Sequence, residues 1–138
     1  MAFPVCERVM AVNTMAHIAV TRAAIPGMIE RKQGQVVNVL SVSGFAGTPL
    51  RTMYVASKFG LSGFGKALRP EVKTHGISVV QVYPGYVRTN ISANAVVADG
   101  RSFGKLDSNI AKGMPVDEAA DHIIRCMALG KTETVIGK

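Results

Sequence analysis

A chain of 138 residues with 48% apolar side chains, 18% charged side chains and a formal charge of +7 fits one globular domain and excludes a disordered one. Two cysteines, Cys6 and Cys126, are too few for a disulfide scaffold, and the longest apolar stretch, residues 10–29, is broken by His17, Arg22 and Pro26, so no membrane span is read. The Lys and Arg residues are scattered, with no block of five like charges and no interleaved aromatics, so nucleic acid is not an expected partner.

In chain order, residues 5–31 read as helical, because Val9, Val12, Met15, Ala16 and Ala19 recur at three- and four-residue steps. The start, Met1 to Arg8, has no basic region leading into an apolar core, so no secretory signal is expected and free thiols in a reducing compartment are. Pro26-Gly27 is expected to kink or restart the helix, and Gly34 to end the unit. Residues 36–40, Val-Val-Asn-Val-Leu, suit a strand buried on both faces, as in a parallel sheet. Residues 41–52 are loop, and residues 53–75 are helical in composition despite Gly60, Gly63, Gly65 and Pro70, with Gly76 closing the helix. Residues 77–82 form a second strand ended by Tyr83-Pro84-Gly85. Residues 86–114 have no period, and a segment that long without regular structure is usually a functional loop or lid. A third helix covers residues 115–129, with Pro115 at its first turn and Asp117 and Glu118 at its positive end; Gly130 ends it and residues 133–136 make a short third strand. This alternation predicts an α/β fold with a parallel sheet covered by helices.

Ligands of such sheets bind outside the carboxyl ends of the strands. Ser41 and Ser43 follow the first strand, and Pro84, Gly85 and Thr89 follow the second. Tyr54 and Lys58, four residues apart, fall on one helical face. A phenol loses its proton near a pKa of about 10, and a neighbouring ammonium favours the phenolate, so the pair reads as a general acid/base unit. The Tyr-x-x-x-Lys pattern alone also arises by chance in many helices. His17, His75 and His122 share no metal-ligand spacing with each other or with the cysteines, so no metal site is expected. Gly60-Leu-Ser-Gly63-Phe-Gly65 lies inside a helix instead of between a strand and a helix start, so it is not a phosphate loop; its small residues suit close packing, including against a second copy. Asn38, inside a strand, reads as structural, and Asn90-Ile-Ser92 is a formal glycosylation sequon in the presumed loop.

The context of Tyr54 and Lys58 is more specific than the pair. Val12-Asn13-Thr14, the run from Gly34 through Asn38 and Ser41 to Gly44, Tyr54-Val-Ala-Ser-Lys58, and Val82-Tyr-Pro-Gly-Tyr-Val-Arg-Thr89 together resemble the classical branch of the short-chain dehydrogenase/reductase family, across essentially the whole chain. Residues 84–94 and 98–104 more narrowly resemble the branch called dehydrogenase/reductase member 7 and its 7B relative. The resemblance implies the C-terminal part of a Rossmann-like, doubly wound parallel sheet, with three strands and three helices. It implies Tyr54 as the acid that protonates a substrate carbonyl, or the base in reverse. Lys58 is implied to lower the phenol's pKa and bind the nicotinamide ribose, and Ser41 to donate to the substrate oxygen; the 13-residue spacing to Tyr54 favours Ser41 over Ser43. Asn13 is implied at an irregular point of its helix, anchoring a water relay to Lys58, although the residue also reads as a polar core residue satisfied locally. Tyr54, Lys58, Pro84, Gly85 and Thr89 are implied to bind the cofactor, NADP or NAD, with NADP favoured.

The resemblance further implies a lipophilic carbonyl or alcohol substrate such as a steroid or retinoid, and a homo-oligomer formed through the two long helices. The chain as written reads as intracellular and cytoplasmic, and the resemblance adds an endoplasmic reticulum membrane for a longer parent carrying an N-terminal anchor. The family's glycine-rich turn and the residue choosing between the two cofactors are not among these residues. Residues 1–138 therefore read as the catalytic half of such a domain with its cofactor-binding N-terminal half missing. The alternative is a truncated, non-catalytic homologue acting as an interaction or regulatory module.

Overall fold

A computed structural model describes every residue except Ala98, Phe103, Leu106 and Lys138. Ala98 and Phe103, within the stretch that carries the narrower resemblance, thus lie outside the described residues. The first helical unit has three parts: α1 (Phe3–Met10), a π-helical turn (Ala11–Met15) and α2 (Ala16–Glu30). Pro26 does not restart it. The ring removes one N–H donor, but Ile25, Met28 and Ile29 on the same stretch pack against Val36, Val72, Ile77 and Val79, and that burial holds the helix through the proline. Nor does Gly34 end the unit. Lys32 makes the reversal with a φ of 53°, the Gln33 N–H donates to the Met28 carbonyl, and Gly34 opens the first strand. A Cβ at Gly34 would lie 2.5 Å from the Met28 sulfur, so the glycine allows helix and strand to meet closely.

Strands β1 (Gly34–Val39), β2 (Ile77–Pro84) and β3 (Glu133–Ile136) form one parallel sheet in that order. Val39 pairs with Val82, and Gln81 with Glu133. Helix α3 (Thr52–Lys73) connects β1 to β2, and Gly76, at a φ of 72°, makes the turn into β2. Between β2 and β3 the chain forms a short α4 (Ser108–Ala111) and then α5 (Val116–Ala128). The α/β class and the three-stranded parallel sheet are as the sequence predicts, with α4 as an additional element. Residues 86–114 are thus less irregular than expected: the Asp107 carboxylate accepts from the Asn109 N–H at 2.8 Å, and burial of Ile110 anchors the turn.

The core is divided by the pleat of β2. Ile77 and Val79 face the cluster with α2 and α3, while Val80 and Val82 pack with Ala119 and Ile136 on the α5 side. Within the described sheet β1 pairs on one side, with β2; Val36 and Asn38 are buried, and Val39 is 47% exposed. Asn38 and Gln81 are direct strand partners, and both are buried. The Asn38 amide donates to the Gln81 carbonyl oxygen at 2.9 Å, and the Gln81 amide donates to the Ser62 carbonyl of α3 at 2.7 Å. This chain of bonds fixes the register of two strands and the height of α3 above them. Among the described residues no helix is long and apolar enough to cross a membrane.

Candidate active site

Tyr54 and Lys58 occupy the first two turns of α3, each half-buried. The Lys58 ammonium lies 5.9 Å from the centre of the Tyr54 ring and donates to the Val39 carbonyl at 3.3 Å. That bond places the cation at the carboxyl end of β1, two residues before Ser41. Burial pulls the Lys58 pKa below that of a free lysine. A lysine whose pKa is lowered on folding binds fewer protons in the folded state than in the unfolded state. Stability contributed through this group therefore rises with pH, in the window between its lowered folded value and the unfolded value of 10.5. In urea titrations across that alkaline window, Lys58→Met is expected to flatten this rising limb. An unchanged profile would mean that the ammonium is better hydrated than its setting indicates.

Ser41 has extended backbone and caps a 3-10 turn over Val42–Gly44. Its Oγ accepts from the Ser43 N–H at 3.1 Å, which leaves its own hydroxyl proton available for donation. The neighbouring Ser43 is buried, and its hydroxyl pairs with that of Thr48 at 3.2 Å. The two serines thus differ in setting: Ser43 is buried against Thr48, while Ser41 is only partly buried and its hydroxyl accepts within the turn.

Asn13 sits at the centre of the π-helical turn. Its amide donates to the Ser57 hydroxyl at 3.1 Å, and that hydroxyl donates to the Tyr54 carbonyl at 2.7 Å. The Thr14 hydroxyl adds a bond to the Ser57 carbonyl at 2.9 Å. The irregular turn is therefore fastened to α3 between Tyr54 and Lys58, and the direct partner of Asn13 is Ser57. Sequence reading gave Ser57 and Thr14 no role. A serine three residues after a helical tyrosine is placed to bond back to the preceding turn, and that spacing was the available signal.

Pro84 ends β2, and the Gly85 N–H donates to the Ile136 carbonyl at 2.7 Å. Because the strands are parallel and Val39 pairs with Val82, Ser41 and Pro84-Gly85 leave the sheet at the same edge. Thr89 accepts from the Ile91 N–H at 3.3 Å, and no described hydrogen bond joins it to Tyr54 or Lys58. The segment after β2 is pinned by a parallel bridge between Val87 and Met114. It returns to the residue before α3 through an Arg51–Asp107 ion pair of 3.4 Å, three residues ahead of Tyr54, while the Asp107 N–H donates to the buried Ser92 hydroxyl at 2.9 Å. Sequence reading missed this tie, since its partners are 56 residues apart.

The family model for short chain dehydrogenase matches residues 2–99. The chain belongs to the short-chain dehydrogenase/reductase family. Among curated relatives it is 39% identical over 130 residues to dehydrogenase/reductase SDR family member 7B of Bos taurus, and 38% identical over 129 residues to the family protein 7-like of Drosophila melanogaster. Each match covers 94% of this chain, and the chain spans about 40% of the length of these relatives. Among solved structures, a family member from Sphingobium yanoikuyae in complex with NADPH superposes with a TM-score of 0.83 at 27% identity, covering 98% of this chain and 50% of that one. A family member from Streptomyces avermitilis shares the fold, with a TM-score of 0.82 at 24% identity over all of this chain and 54% of that one.

Proposed function

We propose that residues 1–138 are the catalytic half of a nicotinamide-dependent oxidoreductase domain that reduces a carbonyl or oxidises a secondary alcohol. The observation that carries this reading is the placement of the Lys58 ammonium between the Tyr54 ring and the carboxyl end of β1, beside a serine whose hydroxyl proton is uncommitted. The donor chemistry suits a nicotinamide ribose: an ammonium has three N–H donors, and the Val39 carbonyl takes one. When bound, NADP or NAD supplies the hydride acceptor or donor. Tyr54 gives its phenolic proton to the substrate oxygen, and Lys58 stabilises the phenolate left behind. Ser41 donates to the same oxygen and holds it where negative charge develops. Asn13, through Ser57, keeps the Tyr54 turn of α3 in place. Pro84, Gly85 and Thr89 border the nicotinamide side.

A lipophilic substrate, of the steroid or retinoid kind, enters under the segment between β2 and α5. The chain pairs with a second copy through its long helices, a reading supported by the exposed Val12, Met15 and Val20 on the first unit and Phe59 on α3. The two free cysteines fit an intracellular setting, cytoplasmic or at the endoplasmic reticulum membrane.

Equilibrium titration of the complete protein with NADPH and with NADH, followed by nicotinamide fluorescence, tests the reading. Saturable binding that Lys58→Ala weakens is expected, with the tighter of the two cofactors deciding between NADP and NAD. No saturable change with either cofactor, or binding that Lys58→Ala leaves intact, would overturn the cofactor-holding role of Lys58 and favour a non-catalytic role.

A further inference from the structure

Tyr83 has no part in the reaction just described, yet it touches every element that positions Ser41. It is 3% exposed, near the end of β2, and sits in a cluster with Leu40 and Leu61, against which the partly buried Phe64 packs. Its hydroxyl bonds to the buried Ser62 hydroxyl of α3 at 2.9 Å. Its ring meets Phe45 edge-on, with centres 5.0 Å apart and planes at 69°. Phe45 directly follows the serine turn. Within that turn, a Cβ built on Gly44 would lie 3.3 Å from the Tyr83 ring and 3.5 Å from the Lys58 carbonyl. The serine turn is therefore held between two surfaces, the backbone of α3 at Lys58 and the face presented by Tyr83. The turn's own bonds are local: Ser43 N–H to the Ser41 hydroxyl, Gly44 N–H to the Ser41 carbonyl at 2.7 Å, and Phe45 N–H to the Val42 carbonyl at 3.2 Å. Such bonds shape the turn without setting its distance from α3.

We propose that Tyr83 is a positioning residue for Ser41: its ring is the floor of the serine turn, and its hydroxyl ties that floor to the helix carrying Tyr54 and Lys58. The inference rests on the catalytic reading of Ser41, but its physical content is independent of catalysis. A residue that only fills volume would, when shortened, lower stability throughout the domain. A floor that is removed releases the turn above it.

Two substitutions separate these cases. Tyr83→Leu removes the ring, and Tyr83→Phe keeps the ring and removes the tether. In amide hydrogen exchange on the chain, Tyr83→Leu is expected to speed Ser43, Gly44 and Phe45 by about tenfold or more, while α5 amides stay within about twofold of the parent; Tyr83→Phe should change the turn by less than about threefold. In the complete protein, Tyr83→Leu is expected to lower kcat by about tenfold to a hundredfold with KM for the nicotinamide cofactor unchanged, and Tyr83→Phe to recover most of it. Turn amides that stay as protected in Tyr83→Leu as in the parent, or that speed up only in step with α5, overturn the proposal. So does a loss that falls on the cofactor KM and leaves kcat intact. Ser41→Ala, assayed alongside, keeps the two readings apart: full turnover there defeats the catalytic role of Ser41, while the exchange pattern still decides whether Tyr83 holds the turn.

Discussion

Tyr54→Phe in the complete protein is expected to lower carbonyl reduction by about two to four orders of magnitude while leaving nicotinamide binding unchanged. The substitution is narrow. The ring and its position 5.9 Å from the Lys58 ammonium are retained, and the Tyr54 carbonyl that accepts from Ser57 belongs to the backbone. Only the phenolic hydroxyl is lost. Ser41 would still hold the substrate oxygen, and Lys58 would still offer its remaining donors to a ribose. Steady-state turnover beside a cofactor titration checks the result, and unchanged turnover refutes the acid role.

Gly65→Ala is expected to destabilise the domain by about 2–4 kcal/mol in urea unfolding. The new methyl group would stand 2.5 Å from both the Asn38 amide nitrogen and the Gln81 carbonyl oxygen. Neither can swing aside, because both side chains are buried and each is bonded to the next. Either α3 lifts from the sheet or the amide chain breaks, and broken bonds leave polar groups without water. Gly63→Ala is the matched control, since a Cβ there meets nothing within 4 Å, and the better helix propensity of alanine should leave stability equal or slightly raised. If Gly65→Ala unfolds like the parent, α3 rides higher above the sheet than its contacts indicate. The consequence reaches the start of α3, because the height of α3 over β1 sets where the Lys58 ammonium meets the Val39 carbonyl.

Much of this arrangement is legible in the sequence, for definite reasons. The β-branched runs around Val36 and Val79 announce strands, and alternation with helices announces a parallel sheet. The four-residue step from Tyr54 to Lys58 is a local signal, readable once the segment is known to be helical. What escapes is what depends on partners distant in sequence. Gly34 reads as a helix terminator because glycine usually is one, but Lys32 takes the left-handed position and leaves Gly34 for a close passage past Met28. Gln81 looks out of place in an apolar strand until Asn38 and Ser62 are seen to satisfy it. Pro26 signals a break that packing of its neighbours overrides. Asp107 and Arg51 carry no common pattern at all, and only the fold brings them together.

The π-helical turn at Ala11–Met15 has a consequence for the whole N-terminal stretch. A turn of this kind holds one residue more than an α-helical turn, and each residue advances a helix by about 100°. The surplus residue is absorbed within the turn, so α1 and α2 face the molecule much as one continuous helix would, while the sequence between them carries an extra position. Removing one residue from the turn would let the segment heal into continuous α-helix with the upstream side chains keeping their faces. What would be lost is the bulge itself, and with it the place from which Asn13 and Thr14 grip Ser57. A single-residue length change here therefore acts on the hold over α3, with composition and hydropathy almost untouched.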